Sequence, residues 1–253
     1  MKPGDGDGST GQHVYMFGGT GGSGLSGAVF VESGDAPTAG SGAITIRSAN
    51  AVNAGVSGDI IFSSGTTNNG NSGTINIGTG TTSSGKAGSV TITTGTNPSG
   101  AGSDVTVTAG ATGGTLGGDV FVYGGKGNTN GGDVVVVAGT SGSTAIGGAV
   151  SITSGSGTTS SSGAIVIQSA STAAEDSGAL VFSSGSATAD DSGSITVQSG
   201  DASGTAGAVT IKAGSSTTNP GAAVQITGGK GLGGAGGAAT ITAGVGSTTG
   251  GAA

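Results

Sequence analysis

The sequence has no cysteine and no tryptophan, only 3% of it is aromatic and only 8% is charged. Without thiols there are no disulfides and no thiolate metal sites. With so few large apolar side chains, a conventional core of packed Leu, Ile and Phe is not available. Scarce charge also separates the chain from the usual disordered segment, which stays in solution through high net charge and low hydrophobicity; here the mean hydropathy is +0.15. No apolar run approaches the roughly 20 residues that a membrane helix needs, so membrane insertion is not expected.

Basic residues are few and scattered: Lys2, Arg47, Lys86, Lys126, Lys212 and Lys230 stand against 13 acids, for a formal charge of -7. Nucleic acid binding requires a basic stripe that displaces counterions, and none is present. Met1 to Gln12 lacks the basic-then-apolar order of a secretory signal. An export signal is therefore expected to be cleaved, elsewhere in a longer chain, or absent.

What the sequence has in abundance is glycine, 61 of 253 residues, and a repeat. Gly27, Gly42, Gly58, Gly73, Gly88, Ser103, Gly118, Gly132, Gly148, Gly163, Gly178, Gly193, Gly207, Ala222 and Gly237 fall in one column at a mean step of 15 residues, and a further copy begins at Gln12. After each column residue, aliphatic side chains stand two and four positions on, as in Ser72 to Gly80 and Ala87 to Gly95. That two-residue alternation is the period of a strand. One aliphatic column runs from Val29, Ile44 and Ile60 to Val224, the other from Val31, Ile46 and Phe62 to Ile241.

Two β-branched columns kept in step suit in-register stacking about 4.8 Å apart. The expected fold class is all-β: a single-chain parallel β-solenoid of about sixteen 15-residue coils over residues 11–253, after a flexible N-terminal segment at 1–10. On that reading the columns face inward, and Ile77→Asp would bury an unpaired charge and unfold several coils. Glycine-rich stretches such as Gly65 to Gly70 and Gly80 to Gly85 suit turns with positive φ. The competing reading is a disordered linker, because so thin a core has to offset the ordering entropy of many glycines.

The span from about Gly11 to Ala253 resembles the Gly/Ser/Thr arrays of SG-x-[VI]-x-[IV]-x-[ST]-G units in very large surface or extracellular proteins of algae and oomycetes, and in some phage fibre proteins. Ser57 to Thr81 carries the pattern throughout. The resemblance implies an extracellular or cell- or virion-surface location and a structural or adhesive role, and it brings no catalytic residues.

Enzyme chemistry lacks parts. His13 is the only histidine, so no Ser/His/Asp arrangement can be built beyond the first repeat. The GxGxxG matches at Gly19 to Gly24 and Gly231 to Gly236 open no helix in a βαβ unit and are expected by chance at this glycine content. No cofactor is expected. Carboxylates offer one metal candidate, Glu175 and Asp176 with Asp190 and Asp191 fifteen residues on, which stacked coils would bring near enough to hold Ca²⁺. Asp104, Asp119 and Asp133 share one register, and splaying into water is the alternative for both groups.

The columns between the aliphatic ones carry the interaction candidates. Phe121, Tyr123, Val135 and Val137 form an apolar group expected to be a contact between copies; Tyr15, Phe17 and Phe30 make a smaller one. Thr91, Thr93, Thr106 and Thr108 suggest the TxT rows of ice-binding solenoids or a polysaccharide-binding face, although neighbouring repeats interrupt the rows with Phe, Arg, Val and Gln. The last repeat, Gly236 to Gly244, keeps the full pattern without a polar cap, which favours end-to-end contact or a place within a longer array. The reading is a non-catalytic building block of an extracellular or surface filament or fibre whose partner is itself. An ice- or glycan-binding solenoid and a passive spacer within a larger adhesin are the alternatives.

Overall fold

The computed structural model describes residues 13–22, 24–52 and 55–245. The chain divides into two units, Met1–Tyr123 and Gly124–Ala253, and each is built from the same element. The expected N-terminal segment at 1–10 lies outside the described residues.

The expected all-β solenoid is not formed. Among the described residues there is no strand and no helix, and no residue is buried. The chain exposes 24088 Å², where a compact monomer of its mass exposes about 9,500 Å². The physical reason lies in the repeat. Two aliphatic side chains per 15 residues must order a loop of Gly, Ser and Thr, and glycine gives up more conformational freedom on ordering than any other residue.

The 15-residue period nevertheless governs the backbone. Each repeat is an extended segment followed by a loop that bends at its middle, and the bends recur at 68–70, 83–85, 98–100, 113–115 and 128–130 in step with the sequence. They recur again at 158–160, 173–175 and 188–190. The residue opening the bend, nine positions after the repeat's first glycine, explains the local geometry. Where it carries a hydroxyl or an amide it bonds the turn: Asn97 Oδ1 accepts from the Ser99 and Gly100 amides at 3.1 and 3.0 Å, Thr112 Oγ1 from Gly114 at 2.9 Å, and Ser216 Oγ from Asn219 at 2.9 Å. These are Asx and ST turns. Where the same position is glycine, at Gly127, Gly157 and Gly231, a Cβ would run into the carbonyl oxygen of the turn. Gly70 and Gly85 close their turns with φ of 115° and 95°, the left-handed region expected for the glycines ending those loops.

Eight of the described loops are pinned at the neck by one backbone hydrogen bond, and the residue beside the acceptor bears on whether it forms. Where the residue before the accepting glycine is itself glycine (Gly18, Gly124, Gly228), the bonds Gly27 N to Gly19 O, Gly132 N to Gly125 O and Gly237 N to Gly229 O measure 2.7, 2.8 and 2.8 Å. Beside Ala109, Ala138 and Ala213 they measure 2.9, 2.9 and 3.2 Å, and beside Ser33 and Ser154 they measure 3.2 and 3.0 Å. At Thr79 and Thr94, and at Ser48, Ser64, Ser169, Ser184 and Ser199, no such bond is formed among the described residues. Thr94 Oγ1 donates to Ser103 O at 3.2 Å instead.

Gly228→Thr places a branched side chain against the Gly237 carbonyl and gives this neck the residue found at Thr79 and Thr94, where no neck bond forms. It is expected to speed exchange of the Gly237 amide about 2- to 10-fold, the worth of one net hydrogen bond. Amide exchange followed by NMR on the dilute chain checks this, and an unchanged rate would show that the neck is not held by that bond.

The aliphatic columns keep their order without an interior. The first, from Val29 to Val224, is 45–56% exposed and the second, from Val31 to Ile241, 54–79%. First-column residues follow the neck glycine by two positions and second-column residues by four. Ile77 is 76% exposed, so Ile77→Asp buries no charge in the single chain. The expected loss of several coils is withdrawn with the core that motivated it.

Candidate functional site

The outward apolar group stands in two units. In the first, Phe121 and Tyr123 are two residues apart on an extended segment and therefore on the same side of it. Their rings are stacked with centroids 5.8 Å apart and planes at 12°. Tyr15 and Phe17, at the same register of the first repeat, repeat the arrangement at 5.7 Å and 10°, with His13 tilted against Tyr15 at 5.7 Å. Separations of this kind are favourable aromatic geometry. In the second unit Val135 and Val137 likewise share one side, with Val134 and Val136 on the other. All four are exposed, Val135 at 76% and Val137 at 80%.

Charge is sparse around these segments. Asp119 and Asp133 open them, immediately after Gly118 and Gly132. The Asp104, Asp119 and Asp133 register is thus real in sequence, but no strand pairing among the described residues stacks it.

No family model, curated protein or solved structure matches the chain. Residue chemistry alone must distinguish the surfaces.

The carboxylate candidate is open. Glu175 and Asp176 line a shallow depression with Ser169, Ala170, Ser171, Thr172 and Ser177, where Thr172 Oγ1 donates to the Glu175 carbonyl. Asp190 Oδ1 accepts from the Asp191 amide at 3.0 Å, which turns that carboxylate back on its own backbone. Among the described residues no three His, Asp or Glu side chains come together as metal ligands would. The two acidic pairs are expected to meet through stacking, and that stacking is absent. Thr91, Thr93, Thr106 and Thr108 are exposed, and no strand pairing sets one pair beside the other. No described helix is long and apolar enough to cross a membrane.

The sequence reading missed the bend-opening position. Its signal was the recurrence of Thr67, Thr82, Asn97, Thr112, Ser141, Thr172 and Ser216 at one register, interspersed with Gly127, Gly157 and Gly231 and with Ala36, Ala51, Ala187 and Ala202. In a chain so rich in small polar residues, that column is hidden by composition.

Proposed function

We propose that the chain is a non-catalytic structural element of an extracellular or surface fibre that assembles by lateral association with copies of itself. The observation that carries this reading is the pair of aliphatic columns, in step at 15 residues and exposed along all the described repeats. A surface about two and a half times that of a compact monomer leaves far more area to cover than the roughly 1,600 Å² of a standard interface. Period-2 segments can cover it by pairing strand to strand between chains. The resemblance to Gly/Ser/Thr arrays of surface and fibre proteins supports the location. End-to-end contact of coils has no place in the proposal, because it depended on coils.

The test is electron microscopy and sedimentation of the purified chain over a concentration series. Single chains at the lowest concentrations and fibres at higher ones, with strands about 4.8 Å apart, are expected. A chain that stays single throughout would replace this reading with that of a passive spacer, which the absence of any buried residue among those described also suits. With a formal charge of -7, copies repel at low ionic strength. Raising salt from about 0.01 to 0.15 M, which shortens the screening length from about 30 to 8 Å, is expected to speed assembly. Light scattering at fixed concentration measures it.

A further inference from the structure

Resting on the self-association just proposed, we infer that a second copy of this chain pairs with the segment Asp133–Ala138, and that the two copies run antiparallel. Elsewhere in the array the positions between the aliphatic columns are mostly Ser, Thr or Gln; at Val14 to Phe17 and Val120 to Tyr123 they are aromatic and already stacked on each other, whereas here they are Val135 and Val137, so that Val134 to Val137 are aliphatic on both sides of the extended chain. All four are exposed. No backbone hydrogen bond among the described residues engages 133–138, which leaves a complete set of donors and acceptors for a second strand. A short segment of high β propensity, without proline or internal glycine and unpaired at its edges, is the kind that templates pairing between chains.

Charge selects the direction. Asp133 is the only ionisable group in the segment. Parallel in-register pairing would stack Asp133 on Asp133 at about 4.8 Å in each successive copy, and like charges placed side by side in a sheet are unfavourable. Antiparallel pairing centred on Val135 and Val136 sets each Asp133 beside the other copy's Ala138, with the two carboxylates about 17 Å apart along the strands. Val134 then faces Val137 of the second copy.

Because the chain has no cysteine, introduced thiols report the pairing directly. Full-length Val134→Cys and Val137→Cys chains are mixed in equal amounts, assembled, oxidised mildly and read by mass spectrometry. A majority of 134-to-137 cross-links is expected, and a majority of 134-to-134 and 137-to-137 cross-links would overturn the antiparallel assignment. Asp133→Asn removes the repulsion and is expected to raise the share of like-to-like cross-links. The double variant Val135→Lys, Val137→Lys is expected to need at least about tenfold more protein to assemble. These exposed positions hold up no fold, so the comparison is free of misfolding. Assembly of that variant at the parent concentration would overturn the segment while leaving self-association standing, and a parent chain that never assembles would overturn both.

Discussion

In dilute solution the amide hydrogens of the two aliphatic columns are expected to exchange almost as fast as in an unstructured peptide, and after assembly to slow by on the order of a thousandfold or more. The first half follows from the backbone. Among the described residues the only backbone hydrogen bonds are single ones at the loop necks, such as Gly163 N to Gly155 O at 3.0 Å and Gly148 N to Gly139 O at 2.9 Å, and the amides of Val134 to Val137 or Ile75 to Ile77 have none. The second half follows from the proposed pairing, in which those same amides enter a ladder between chains. Exchange measured by mass spectrometry before and after assembly separates the two states. Strong protection in the dilute chain would show that single chains order themselves, and no gain on assembly would show that association does not run through these segments.

The second large effect comes from removing apolar surface in an ordinary repeat. Replacing both Ile75 and Ile77 with serine is expected to leave the circular dichroism of the dilute chain unchanged, since the two side chains are 50% and 76% exposed there. The same change is expected to raise the concentration needed for assembly by about a hundredfold or more. Full burial of an isoleucine is worth about 1.5–3 kcal/mol, and each 1.4 kcal/mol is a factor of ten in an association constant. A spectrum altered in the dilute chain would reveal an intramolecular core, and an unaltered assembly concentration would show that these columns remain outside the contact.

The period was legible in the sequence because it is written in the residues with the strongest local preference. Pairs such as Ile75 and Ile77, or Val90 and Ile92, mark the extended segments, and the glycine-rich stretches between them mark the loops; both are present at the expected spacing. What pattern could not decide was whether the columns close on themselves. That depends on an energy difference rather than a preference, and two aliphatic residues per repeat do not order a 15-residue coil of this composition. Alternation at Val29 and Val31 establishes that the two residues share a side, but it is silent on whether that side meets the same chain or another. The candidate sites divide in the same way. The stacking of Phe121 on Tyr123 depends only on neighbours two residues apart, whereas the contact between copies expected of Phe121, Tyr123, Val135 and Val137 together depends on a second chain. Glu175, Asp176, Asp190 and Asp191 depended on stacking fifteen residues apart, and the structure does not bring them together.

The necks carry one more implication. The eight bonded among the described residues close over seven to nine residues, from Gly125 to Gly132 at the shortest and Gly139 to Gly148 at the longest, so the geometry of such a loop is set within its own repeat. A gene encoding such a chain can gain or lose whole units by unequal recombination, and the remaining units keep their shape. Length becomes a freely adjustable quantity, and a one-residue gain or loss within a loop is absorbed where it occurs.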